Sequence, residues 1–173
     1  MKSVWLTVDD KTRAMFREQV GKLAETARMP VFEPHITVVG DVDAELDVIV
    51  GNCEEVFCTP LNSAASVSGA DGLDDPFMSL FLDVQLAQSV LERRDELYSR
   101  LMGSEPSTFR PHISLAYHFE SQENRRSVVD TMAELFTGHA FGVARIEIWE
   151  ADKVTPIERW QRLWSRTINE YKP

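Results

Sequence analysis

Two histidines stand in nearly the same nine-residue phrase, His35 in FEPHITVVG and His112 in FRPHISLAY. Each follows an aromatic residue, one variable residue and a proline, and each has a hydroxyl residue two positions on, Thr37 or Ser114. Alternate side chains of an extended strand share a face, so His35 and Thr37 point one way, and His112 and Ser114 do the same in the second copy. Ile36, Val38, Ile113 and Leu115 point the other way, into a packing layer. Two imidazoles and two hydroxyls meeting in one small volume suit phosphoester hydrolysis. An unperturbed imidazole titrates at about 6.5, so one ring can take a proton from water while the other delivers one to the departing oxygen. The hydroxyls would donate to the non-bridging phosphate oxygens as charge builds in the pentavalent transition state. A cyclic phosphate fits this minimal set, because its leaving oxygen stays tethered. The two phrases do not say which histidine is acid and which is base.

Metal chemistry is the rival among enzymes, and the spacing speaks against it. No His-Glu-x-x-His occurs, no helical pair of histidines, and no carboxylate cluster beside either phrase. No metal or cofactor is therefore expected. With 28 acidic and 18 basic residues the net charge is −10, which argues against an extended nucleic-acid footprint, since phosphate tracking needs clustered Lys and Arg. A small anionic ligand stays compatible with that field. The N-terminal MKSVWLTVDD has no leader-like apolar stretch and no long apolar run follows, so a cytoplasmic, membrane-free monomer is expected. Cys53 and Cys58 read as reduced thiols and not as a disulfide framework.

The elements that must hold these groups can be read in order. Residues 3–8 form a strand stopped by Asp9-Asp10, and a helix over 11–27 is predicted from Met15, Phe16, Val20, Leu23 and Ala24. The first phrase gives a strand at 35–39, followed by a helix at 43–57. Residues 61–70 and 78–85 read as a hairpin, and 87–102 as a helix stopped by Gly103. The second phrase gives a strand at 112–119, then a helix at 122–136, and strands at 143–154 and 160–168 close the chain. This is an α+β pattern, expected as a single bilobal domain over 1–173 with antiparallel sheets facing a central cleft and helices outside.

Several residues near the phrases have plainer readings. By parity His118 shares a face with His112 and Ser114, and it reads as an exposed strand-end residue; His139 reads as a loop residue. Tyr117 falls on the opposite parity, the core side, unless the strand bulges. Arg110 reads as a solvated arginine or an anion-holding group, and Trp149, Trp160 and Trp164 as packing residues.

The doubled PHIT and PHIS resemble the paired His-x-Thr/Ser signature of the 2H phosphoesterases. The aliphatic-Trp strand VWL, the phrase VFEPHIT, the tyrosine of PHISLAY and the terminal IERWQRLWSRTI make the chain most similar to the fungal and plant cyclic phosphodiesterases within that superfamily. The resemblance implies a bilobal fold and hydrolysis of ADP-ribose 1″,2″-cyclic phosphate to ADP-ribose 1″-phosphate. It also implies opening of nucleoside 2′,3′-cyclic phosphates to 2′-phosphates. His35 and His112 would be the acid–base pair, Thr37 and Ser114 the phosphate donors, and Tyr117 an aromatic near the phosphate. Trp5 and Phe77 match positions that would wall a nucleoside. The plant disulfides are not carried over, because their additional cysteines are missing here. Other readings of the same cleft are a noncatalytic nucleotide or RNA-end binding module, and an RNA 2′,5′ ligase or exonuclease of the same superfamily.

Overall fold

The computed structural model describes residues 1–119 and 122–169. Its strands are β1 (Lys2–Val8), β2 (Ile36–Val42), β3 (Ala64–Asp71), β4 (Leu80–Leu86), β5 (His112–Ala116), β6 (Ala140–Glu150) and β7 (Gln161–Thr167). Its helices are α1 (Asp10–Ala27), α2 (Leu46–Val56), α3 (Gln88–Met102) and α4 (Gln122–Phe136). Asp9 caps α1 as its position implied: the carboxylate accepts from the Thr12 amide at 3.0 Å, satisfying a donor that the helix leaves unpaired. At the other end of the helical series, Gly103 takes the left-handed conformation that closes α3. No helix among the described residues is long and apolar enough to cross a membrane.

All seven strands pair antiparallel in one curled sheet, ordered β2-β1-β6-β3-β4-β5, with β7 also on β6. The long strand β6 makes the two lobes continuous. Its first residues pair with β3, and from Val143 onward it pairs with β1, joined from Arg145 by β7 on its other side. The outer helices are exchanged between lobes: α1, which follows β1, packs on β5, whereas α3, which follows β4, packs on β2. The sheet curls far enough for its two edges, β2 and β5, to lie against each other. Those edges carry the two histidine phrases.

Both edge strands contain a bulge at the same place, and β2 has a second register shift between Val39 and Val42. Trp5 pairs with Thr37 and Val4 with Val39, which leaves Val38 without a partner; Phe81 pairs with Ser114 and Leu80 with Ala116, which leaves Leu115 without one. An extra residue bends the strand and reverses the alternation beyond it. Consistent with this, the neighbours Val38 and Val39 are both buried, as are Leu115 and Ala116. The backbone groups freed by the bulges find side chains. Buried Arg94 of α3 donates Nε to the Val38 carbonyl at 3.1 Å, and buried Ser79 donates its hydroxyl to the Ala116 carbonyl at 3.0 Å. Arg94 also lies over the Tyr98 and Phe109 rings and reaches the Ser107 carbonyl, so one guanidinium ties the first bulge to the segment entering the second phrase.

Two expected strands are shorter than the apolar pattern suggested. The second-phrase strand stops at Ala116, because Tyr117 and His118 bend away with His118 at φ 56°. The strand expected over 143–154 stops at Glu150, because the Asp152 carboxylate accepts from the Val154 and Thr155 amides and folds the chain into a turn. Substituting Arg94→Met, which keeps an unbranched stem but leaves the Val38 carbonyl unsatisfied, should cost about 1–3 kcal/mol of stability, read as a lower urea midpoint.

Candidate active site

Each histidine is oriented by its own phrase. The proline before it holds the preceding residue extended, and the chain turns so that the imidazole faces the carbonyl two residues back. His35 Nδ1 lies 2.6 Å from the Glu33 carbonyl oxygen and His112 Nδ1 lies 2.8 Å from that of Arg110. A carbonyl only accepts, so Nδ1 carries the proton in both rings and Nε2 is the atom left for chemistry. Glu33 and Arg110 are held in turn by side-chain pairs, Glu33 with Arg13 and Arg110 with Asp71 and Asp83. Arg110, read from the sequence as a solvated or anion-holding group, is therefore already engaged: it forks onto both carboxylates and covers the Phe81 ring.

The two imidazoles share a local frame and differ in surroundings. His35 is 5 % exposed and lies flat on Trp5, with ring centroids 3.5 Å apart and planes 7° from parallel. Burial pushes its pKa down to about 3 against the pull of the Glu33 carbonyl, and the nearby His112 adds to the lowering. His112 is half-buried and meets Phe81 edge-on at 5.2 Å. Burial also lowers its pKa, but the Arg110 carbonyl and the charge of Asp83 oppose the shift. His35 is thus the ring held neutral, and His112 the ring more easily protonated.

Both hydroxyls and both imidazoles line one cleft of about 240 Å³, together with Trp5, Phe77 and Tyr117. Ser114 Oγ is 3.5 Å from the Phe77 carbonyl, a long contact that leaves the hydroxyl available to a better acceptor. Tyr117 is buried and stacked on Phe32 at 4.2 Å; burial raises its phenol to about 12, so its hydroxyl is neutral. Trp5 is also buried, with His35 on one side and Trp149 stacked at 4.6 Å on the other, so it backs the histidine more than it walls the opening.

The bulges correct the parity reading of Tyr117. Beyond Leu115 the alternation is reversed, which turns Tyr117 onto the face of His112 and Ser114. The same reversal beyond Val38 places Gly40 on the cleft side of β2. Gly40 and Tyr117 occupy matching places in the two phrases, and so do Asp41 and His118, both left-handed at φ 55° and 56°. The repeat thus extends into backbone geometry, while its side chains put open space on one side of the cleft and a phenol on the other. His118 stays exposed, with its amide on the Pro76 carbonyl and its ring edge-on to Phe77.

Sequence reasoning missed Trp160 and Lys153 at this cleft. Trp160, read from the sequence as a packing residue, stands edge-on to both Trp5 and Tyr117 at the cleft wall. Lys153 sits on the turn that replaces the end of the expected strand, with Nζ 5.9 Å from the Phe77 ring. Among the described residues it is the one basic side chain lining the cleft, and no cluster of three metal-ligating side chains occurs.

No family model matches the chain. Along 96% of its length it is 23% identical to a cyclic phosphodiesterase of Arabidopsis thaliana, 94% of which is covered. Among solved structures it superposes on a phosphoesterase with a TM-score of 0.64 at 15% identity, covering 98% of this chain and all of that one. Escherichia coli LigT complexed with 3′-AMP gives a TM-score of 0.62 at 13% identity over 98% of both chains. TT0787 of Thermus thermophilus gives 0.65 at 15% identity over 96% of this chain and 97% of its own.

The site's asymmetry is measurable without substrate. In NMR titrations His35 should stay neutral until pH approaches about 3, while His112 should titrate below the ordinary 6.5. Inorganic phosphate should move the His112 midpoint upward, since a neighbouring anion favours the imidazolium. A His35 midpoint near neutrality would contradict the asymmetry.

Proposed function

We propose that this chain, a phosphodiesterase of the 2H phosphoesterase fold, hydrolyses cyclic phosphates on small nucleotides with two histidines and no metal ion. The observation that carries this reading is the convergence of His35, Thr37, His112 and Ser114 from two edge strands onto one cleft. A cyclic phosphodiester carries one negative charge. Neutral hydroxyls of Thr37, Ser114 and Tyr117 beside the two histidines match the single charge of the reacting phosphodiester.

In the mechanism, the neutral His35 accepts a proton from water through Nε2 as the water oxygen attacks phosphorus. The phosphorus–oxygen bond on the far side breaks, and His112 Nε2–H gives its proton to that ring oxygen. Thr37 and Ser114 donate to the non-bridging oxygens, where charge is greatest in the transition state. The next cycle begins when His35 loses its proton and His112 regains one. The half-exposed Phe77 ring flanks the nucleoside, and Gly40 leaves the room through which the rest of the substrate extends. ADP-ribose 1″,2″-cyclic phosphate and nucleoside 2′,3′-cyclic phosphates are the substrates proposed, giving ADP-ribose 1″-phosphate and nucleoside 2′-phosphates.

Turnover of both substrate classes in excess EDTA is the direct test. His35→Ala and His112→Ala should each lose about 10²–10⁴ in rate. Activity that disappeared with chelator would overturn the metal-free mechanism, and binding without turnover by the wild type would point to a noncatalytic module. The pH dependence has a worked sign. Since His112 must be protonated and its free-enzyme value lies below 6.5, kcat/KM should fall as pH rises through that value, and should fall on the acid side only as His35 approaches protonation. Bound phosphate holds the imidazolium, so the alkaline limb of kcat should lie at higher pH than that of kcat/KM.

Gly40 supplies a separate check on substrate placement. A Cβ there meets only Thr37 Cγ2, at 3.7 Å, so Gly40→Ala should fold and turn over like the wild type. Gly40→Tyr would fill the open side and should raise KM about tenfold or more, a penalty of about 1.4 kcal/mol in binding. Unchanged KM would place the nucleoside elsewhere.

A further inference from the structure

Glu147 lies on β6 and is fully buried, an expensive position for a carboxylate in the middle of a sheet. Its oxygens are satisfied by three donors: Trp149 Nε1 at 2.8 Å, Arg162 Nη1 at 3.1 Å and Ser165 Oγ at 3.3 Å. In register it stands directly opposite Trp5 on β1, and Trp5 stands directly opposite Thr37 on β2. Directly paired residues point to the same face, so Thr37, Trp5, Glu147 and Ser165 form one row running from the cleft into the sheet.

The same residues connect a second way. Trp149, whose indole N–H the carboxylate holds, stacks on Trp5 with centroids 4.6 Å apart and planes 22° from parallel. Trp5 stacks on His35 at 3.5 Å and 7°. His35 is held by two contacts, the Glu33 carbonyl at Nδ1 and this ring stack against its face. Trp149 is only half-buried, so packing alone does not fix its ring plane; the bond to Glu147 does.

We infer that Glu147 is a positioning residue for His35: by anchoring the Trp149 indole it fixes the three-ring stack that sets the plane and the dry surroundings of the imidazole. The inference builds on the proposed proton-accepting role of His35, but the ring's orientation is a physical property that can be read whether or not the protein turns over substrate. The charges around the stack are Arg162 and Arg13 beside Glu147, and Glu33 and His112 beside His35.

The test follows the His35 imidazole by NMR, assigned with His35→Ala, in full-length wild type, Glu147→Gln, Glu147→Ala and Trp149→Phe. The Gln side chain keeps an oxygen for the Trp149 N–H, so Glu147→Gln should titrate like the wild type. In Glu147→Ala and in Trp149→Phe, which keeps an aromatic ring but loses the donor, the His35 midpoint should rise by about one pH unit, a tenfold gain in proton affinity. Glu147→Ala should also weaken the exciton signal of the stacked indoles in circular dichroism. In both variants kcat should fall with KM nearly unchanged, because only the proton-accepting ring is disturbed.

If Glu147→Ala does not fold, Trp149→Phe gives the same reading. An unchanged His35 midpoint in a folded Glu147→Ala or in Trp149→Phe overturns the inference. So does a Glu147→Gln variant that behaves like Glu147→Ala, which would make charge and not the hydrogen bond the operative feature. A shifted midpoint in a protein without phosphodiesterase activity would uphold the positioning and overturn the proposed function alone.

Discussion

The site depends on the extra residue that follows the hydroxyl in each edge strand, Val38 in β2 and Leu115 in β5. Without Val38 and Leu115, strict alternation would turn Gly40 and Tyr117 away from the cleft, and the two phrases would present only a histidine and a hydroxyl each. With them, each strand bends just past its hydroxyl and directs the next side chain back toward the histidine. A bulge leaves backbone groups unpaired, and the fold answers with Arg94 at Val38 and Ser79 at Ala116. The two solutions come from different elements, a helix of the opposite hairpin in one case and the start of the neighbouring strand in the other. The repeat therefore fixes the geometry, and unrelated parts of the chain support it.

That division explains how a symmetric pair of phrases yields two unequal imidazoles. Proline, imidazole and upstream carbonyl set the same tautomer in both copies, which leaves Nε2 unprotonated and facing away from the carbonyl twice. The environment then separates them. His35 lies under aromatic rings where a charged form is poorly solvated, and His112 stands at the opening with Asp83 near it. One imidazole held neutral and another more readily protonated follow from burial, even though the two sequences offer the same partners.

Much of this was legible in the sequence. The apolar period located all four helices, and Asp9 and Gly103 marked helix ends by chemistry that needs no tertiary context. The paired phrases marked the two edge strands and the face on which both imidazoles and both hydroxyls meet. What failed did so for physical reasons. Bulges formed by Val38 and Leu115 have no glycine to announce them, so parity left Tyr117 on the core side unless the strand bulged, and only the resemblance put it near the phosphate. Arg110 looked available because its partners Asp71 and Asp83 lie far off in sequence and meet it only through the β3–β4 hairpin. Trp160 and Lys153 reach the cleft because the chain turns at Asp152, and a strand-like run of apolar residues conceals that turn. Long-range pairing and side-chain capping decided these cases, and neither has a local signature.

Register shifts also occur in the central strands β3 and β6, but the two beside the histidine phrases lie in the strands that end the sheet. An extra residue in a central strand breaks the ladder on both sides, whereas in an edge strand it disturbs one. β2 and β5 end the sheet's strand order, so each bulge interrupts pairing with a single neighbour. Exposed edges would ordinarily invite pairing with another chain, but curling brings these two against each other. Curling the sheet thus brings two vulnerable edges together and, in the same act, sets both histidines on one cleft.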